Sequence, residues 1–340
     1  MRKISHHSWR RRVPPGDSGE AVDSTCFCWQ PKRWAGGTLS QPTRVLVALV
    51  LAAGLLCCGC STFRKQKAVP DSVATCRQLS YEGIAAMELG HWEHAHELLD
   101  KAVKTSPGDV DARRQLAEVL WRSGSREEAV VHMQTAVTLD PERPATVIRC
   151  GEMLLGLGSI DRALAKAEEA IALDGTSAGG WALRGRVYRQ KGDLERSLAD
   201  LQQALRYSPN SGDILQDAAE VQYQLGRPQR SLATIGHLLD IAPESAQPRE
   251  ALWLAGLAYG AVDRREEAVA SLYAAALRGE PHPELLYQLA RAQSAAGRPG
   301  EAAATVRQAL AADHKHQASQ ELLAQLEGAG VPGVDVPLRR

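Results

Sequence analysis

The sequence predicts an all-α solenoid of seven helix-turn-helix units, closed by a C-terminal capping helix. Three observations predict it. First, a glycine followed five residues later by Ala or Ser recurs as Gly90/Ala95, Gly124/Ala129, Gly158/Ala163, Gly192/Ser197 and Gly226/Ser231, each glycine 34 residues after the last. Second, small residues recur in the same phase, at Gly83, Ala117, Gly151, Gly185, Ala219, Gly256 and Ala290, and again at Ala102, Ala136, Ala170, Ala204, Ala275 and Ala309. Third, Pro107, Pro141, Pro209 and Pro243 close units one, two, four and five. A fixed period of this length marks stacked units, because one helical pair cannot bury its apolar stripe alone.

Composition agrees with a folded body. Hydrophobic residues make up 44% and charged residues 24% of the chain, which are globular values. Forty Lys and Arg balance forty Asp and Glu, so no bulk field draws nucleic acid or an anionic membrane. The balance is uneven: residues 1–60 hold eight bases and three acids, leaving 32 bases against 37 acids in residues 61–340.

Taken in chain order, residues 1–43 contain Pro14-Pro15-Gly16 and Arg10-Arg11-Arg12 without periodicity. They are expected to be disordered, or an over-extended start. Within residues 44–60, Arg44 precedes twelve apolar residues, Val45 to Leu56, which have the make-up of an export h-region. Gly59-Cys60-Ser61 follows. The segment resembles a bacterial lipoprotein signal, which implies lipidation of Cys60 and a bilayer partner at the N-terminus. It also implies the periplasmic side of the cell envelope, at the outer membrane if Ser61 directs sorting. Cys57 stands where that family usually has Leu. An uncleaved anchor is the alternative, since residues 45–63 are nineteen uncharged positions; a cytoplasmic adaptor with a misread front end is another. Cys57-Cys58-Gly59-Cys60 has redox spacing but no strand–helix unit beside it, and Cys76 and Cys150 are too few for a disulfide framework or a zinc site.

Residues 61–75 are expected to be a tether. Units one to five fill 76–245 as 76–109, 110–143, 144–177, 178–211 and 212–245. Ala246 to Pro248 resets the phase, and units six and seven occupy 249–282 and 283–316. In each unit a glycine at position 15 turns the chain, and a proline at position 32 stops the second helix. Positions 8 and 20 must be small because the two helices touch there. Leu or aromatic residues at positions 4 and 24 (Leu79, Trp181, Leu99, Leu201, Leu272) fill the space beside that contact. Gly175, Asp263, His314 and Arg113 depart from the pattern and put individual turns in question. Residues 318–328 supply a cap with Leu322, Leu323 and Leu326 inward, and 329–340 are expected to be a disordered tail.

The repeat resembles the tetratricopeptide repeat (TPR) family, whose pattern is W-x2-L-G-x2-Y, a later Ala and a closing Pro. Unit four matches through Trp181, Gly185, Tyr188, Gly192, Ala204 and Pro209. The resemblance implies a right-handed solenoid whose first helices line a concave groove through positions 2, 5, 6, 9, 12 and 13. Those positions hold Arg114, Glu118, Trp121, Arg122, Arg149, Glu152, Arg186 and Arg189 in units two to four, and Asp213, Asp217, Glu220, Tyr223, Trp253, Tyr287 and Arg291 in units five to seven. Arginine forks suit carboxylates and exposed aromatics anchor apolar side chains, so the groove is expected to take a peptide or helix of a partner protein, with an acidic partner for the arginine stripe. Arginine being this chain's default base is the competing explanation. The lysine/asparagine clamp of the family's chaperone-tail binders is missing, with Ser80 and Ile84 at the clamp positions and Asn210 outside the groove. A pilotin-like lipoprotein that assists assembly of an envelope secretion or pilus complex is the alternative role.

Catalytic motifs are thin. Gly175-Thr176-Ser177-Ala178-Gly179 has the G-x-S-x-G spacing, but in an inter-helix turn with no sheet. His91, His94 and His96 lack the H-E-x-x-H arrangement, and a solvated helix face accounts for them. No catalytic residue, metal, cofactor or small-molecule substrate is expected.

Overall fold

The structure, a computed structural model, describes residues 71–280 and 282–328. Among the described residues there are fifteen α-helices, one 3-10 turn and no strand. In order they are α1 (Asp71–Glu88), α2 (Trp92–Thr105), α3 (Val110–Ser123), α4 (Arg126–Leu139), α5 (Pro144–Gly156), α6 (Ile160–Leu173), α7 (Ala178–Gln190) and α8 (Leu194–Tyr207). Then follow α9 (Gly212–Gln224), α10 (Pro228–Ile241), α11 (Arg249–Ala261), α12 (Arg265–Ala276), α13 (Pro283–Ala295), α14 (Pro299–Ala312) and the cap α15 (Gln317–Gly328). The export-signal segment and Cys60 lie outside the described residues. Among the described residues no helix is long and apolar enough to cross a membrane.

Each odd helix packs chiefly against the even helix that follows it, and each pair packs on the next. First helices of successive units also touch one another, most weakly at α3 and α5, whereas second helices make no comparable contact. The first helices therefore form the inner face of the α-solenoid. Glycines 90, 124, 158, 192, 226 and 297 turn each pair with φ between 70° and 95°, a left-handed region that costs glycine nothing. Unit six uses Asp263 there at φ 60°. Asp tolerates this conformation better than most residues, and its carboxylate accepts a 2.7 Å hydrogen bond from Arg265 Nε. The aspartate thus keeps the turn that its sequence put in question.

The helix crossings show why positions 8 and 24 covary. A methyl group added to Gly83, Gly185 or Gly256 would lie 2.7, 2.9 or 2.5 Å from Leu99, Leu201 or Leu272. Where position 8 is Ala117, Ala219 or Ala290, position 24 is Met133, Ile235 or Val306 instead, all fully or almost fully buried. Unit three pairs Gly151 with the small Ala167, and Leu183 from the next unit fills the space, 2.4 Å from where a Gly151 methyl would sit. Close packing at interior density thus operates within units and between them.

The core follows the stack as overlapping clusters that bridge neighbours, such as Leu215 and Ala219 of α9 with Ile235 and Leu238 of α10 and Ala251 and Leu254 of α11. The three-residue insertion is absorbed by the 3-10 turn Glu244–Ala246, and Gln247 Nε2 donates to Leu239 O at 3.2 Å. Leu326 of α15 is buried against unit seven, with Leu322 and Leu323 partly buried beside it.

Gly256→Ala should lower stability by about 1–3 kcal/mol, because the new methyl meets both the Leu272 side chain and its backbone nitrogen. Gly236→Ala in α10, where a methyl meets nothing within 4 Å, should raise it by about 0.5–1 kcal/mol. Urea unfolding followed by circular dichroism checks both; equal shifts of the same sign would show that crossing space does not decide the residue.

Candidate functional site: the inner face

The inner face is laced by ion pairs that run from unit to unit. Glu118 on α3 accepts two hydrogen bonds from Arg149 on α5, from Nε at 2.6 Å and Nη2 at 2.7 Å. Arg149 Nη1 donates to Glu152 at 3.1 Å, and Glu152 accepts from Arg186 of α7 at 3.3 Å. Arg186 also donates to Asp217 of α9, and Arg189 donates to Glu220 and faces Asp217. Seven side chains from four helices form one alternating ladder. Its rule is geometric: position 9 of one unit meets position 6 of the next, 31 residues on, at Glu118/Arg149 and Arg186/Asp217, and Arg189/Glu220 repeats that spacing one turn along.

The pairs are half-buried, with Arg149 and Glu118 side chains 31% and 25% exposed. The hydrogen bond to Glu118 leads the effects that hold the Arg149 guanidinium above its ordinary value, with burial opposing. At Arg186 burial is the largest effect and works against the charge, but the charge and hydrogen bond of Asp217 together with the charges of Glu152 and Asp213 hold the guanidinium above its ordinary value. Arg149, Arg186 and Arg189, chosen from the sequence to meet an acidic partner, are therefore already engaged by carboxylates of this chain. Arg114 is held by Asp111 at 3.1 Å, and Arg143 shares that carboxylate at 2.7 Å. Arg122 stacks over Trp92, its guanidinium carbon 5.4 Å from the ring centre.

The aromatic candidates divide. Trp121 lies against Gly156 of α5, whose added methyl would be 2.9 Å from the indole, and it packs on the core. Tyr223 is half-buried on α9 beside a core cluster. Trp253 on α11 tilts against His282 with ring centres 5.1 Å apart, and Tyr287 on α13 against His316 at 5.7 Å. Arg291 lies over Tyr287 at 5.8 Å. Both histidines sit just before the next first helix, and His282 Nδ1 accepts from Leu285 N at 3.4 Å as a helix cap.

Sequence reasoning missed Arg184 and Asp200, a bidentate pair at 2.7 and 2.9 Å that joins α7 to α8, Asp200 being buried. The signal was available: a carboxylate on an otherwise apolar buried face requires a partner. The G-x-S-x-G segment is the turn between α6 and α7, tied by Thr176 N and Oγ1 to Asp174 at 2.9 and 2.7 Å. His91, His94 and His96 are exposed, and among the described residues no group of three His, Cys, Asp or Glu is arranged to hold a metal ion.

A double-mutant cycle on Arg149→Met and Glu118→Gln should give a coupling of about 1–2 kcal/mol. Arg149→Met should cost more than Glu118→Gln, because it strands two carboxylates. Chemical denaturation measures all four proteins, and a coupling near zero would remove the ladder as a stabilising element.

Tetratricopeptide-repeat models match residues 82–144, 151–211 and 188–252, together just under half of the chain. No curated protein matches it in sequence. Among solved structures, a tetratricopeptide repeat protein from Parabacteroides merdae superposes with a TM-score of 0.55 at 16% identity, over 75% of this chain and 99% of that one. The Cut9–Hcn1 complex of the APC/C gives 0.61 at 15% identity, over 75% of this chain and 53% of that one. The pilF protein of Pseudomonas aeruginosa gives 0.55 at 17% identity, over 66% and 99%. At such identities the likeness is one of fold. The helical body of this chain is an array of tetratricopeptide repeats.

Proposed function

We propose that this protein is a non-catalytic scaffold that holds a segment of a partner protein along its inner face, at the cell envelope. The observation that carries the proposal is the continuity of that face. Seven helix pairs and the cap follow one another, each pair packed on the next, and inter-unit ion pairs hold the side chains in place before any partner arrives. A preformed surface loses little entropy on binding. The envelope location rests on the apolar run Val45–Leu56 and on Gly59-Cys60-Ser61, the last of which resembles a lipoprotein processing site.

Two experiments test the two halves. A photo-crosslinking amino acid at Tyr287 on the inner face should trap a partner in intact cells, whereas one at Val131, exposed on α4 of the outer layer, should not. Equal trapping at both sites defeats the groove. Radiolabelled palmitate should enter the wild type and not Cys60→Ala; equal labelling or none in both removes the lipid anchor.

A further inference from the structure

The geometry points to a charge preference within the groove: units five to seven receive an extended segment with cationic side chains at every third position. This rests on the reading that the inner face binds a protein segment. The groove's charge is divided along its length. Units two to four contribute five arginines and three carboxylates to it, whereas units five to seven contribute Asp213, Asp217, Glu220, Glu250 and Glu284 against Arg291. The ladder consumes Asp217 and Glu220. Asp213 and Glu250 are exposed, and neither makes an ion pair among the described residues. Glu284 bonds only to Gln288 and His316.

Asp213, Glu250 and Glu284 all occupy position 2 of consecutive units. Three residues further on, one helical turn along, stand Gln216, Trp253 and Tyr287. Units six and seven therefore repeat one module, a carboxylate beside a partly exposed aromatic ring, with a histidine behind the ring at position 34. The ring face attracts a cation and the carboxylate pairs with it, so each module is a seat for Arg or Lys.

Spacing follows from the stack. Packed helices lie about 8–10 Å apart, and a polyproline II strand advances about 9 Å over three residues while returning to the same face. Cationic side chains at i, i+3 and i+6 of such a segment meet Asp213 and then the two modules in turn. A cation at Glu250 gains a partner without displacing another. At Asp213 it shares the carboxylate's attraction with Arg186, and at unit seven it meets His316 beside Glu284 and Arg291 over the Tyr287 ring. An anion in units two to four must first displace Glu118 or Glu152 from Arg149.

The test uses the detergent-solubilised full chain and three labelled peptides, read by fluorescence anisotropy. The first is Arg-Pro-Pro-Arg-Pro-Pro-Arg, the second replaces each Arg by Glu, and the third separates the arginines by four prolines. The first should bind more tightly than the other two and weaken steeply with salt. Asp213→Lys/Glu250→Lys, at two exposed positions, should weaken it about tenfold or more, with the helical circular dichroism unchanged. Preference for the glutamate peptide, lost in Arg122→Glu, would overturn the charge assignment and leave the groove reading intact. Equal binding of both arginine spacings would overturn the seat spacing. Binding of none of the three, with Tyr287 still trapping a partner in cells, would overturn this inference alone; failure of both would overturn the groove reading as well.

Discussion

The crossing of the two helices inside each unit is the constraint on which the other features rest. Backbones approach at position 8 only over a small residue, and a volume rule goes with it: the space left there is filled by the side chain opposite at position 24, Leu beside Gly and Met, Ile or Val beside Ala. That approach sets the angle of the pair, and the angle repeated at each unit brings first helices together while second helices stay apart. Because first helices line one face in succession, Glu118 reaches Arg149, and Arg186 reaches Asp217, across unit boundaries. The inner surface is thus a consequence of glycine and alanine placement tens of residues away from the charges that decorate it. Unit three shows how strictly the volume rule is applied. When Ala167 leaves space beside Gly151, Leu183 of the following unit enters it, and the intra-unit contact becomes an inter-unit one.

A second set of ties runs along the turns. Position 18 of one unit pairs with position 16 of the next at Glu195/Arg227 and Glu266/Arg298, and with position 14 at Asp161/Lys191. These side chains are more exposed than the inner ladder, and exposed pairs contribute at most about 1 kcal/mol each. Their value is in fixing register between neighbours. Nearest-neighbour coupling of this kind is what gives a stack of weakly stable units its cooperativity.

Most of the fold was legible because its signal is a period, and a period survives local exceptions. Gly175, Asp263 and the insertion Ala246–Pro248 each break the pattern, yet the Asp174 turn, the left-handed Asp263 and the 3-10 turn at Glu244–Ala246 each restore the path of the chain. The site was legible in membership but not in state. Arg149, Arg186, Arg189, Glu118 and Glu152 were all picked out, but as separate groups offered to a partner. Their mutual pairing is invisible to local reading, since neighbours at i+3 and i+4 are what a single helix reveals and these partners lie 31 or 34 residues apart. The spacing does carry a signal once the stack is assumed. The Arg184–Asp200 pair and the histidines behind Trp253 and Tyr287 needed the three-dimensional packing, because positions 7, 23 and 34 follow no charge rule shared by the other units.

The engaged arginines change what the groove can select. A partner carboxylate arriving at Arg149 exchanges one bidentate pair for another and leaves Glu118 behind, half-buried and without its counterion. Removing one member of such a pair is costly because the stranded charge has lost its water. The exchange therefore contributes little to offset the freedom that the partner loses on association. Where the chain makes no internal ion pair, as at the exposed Glu250, a new ion pair forms without breaking an old one. Selectivity thus arises by subtraction. The chain's own carboxylates silence the basic half of the inner face as a charge recogniser and stiffen it, while the residual acidic charge beside Trp253 and Tyr287 remains available to a ligand.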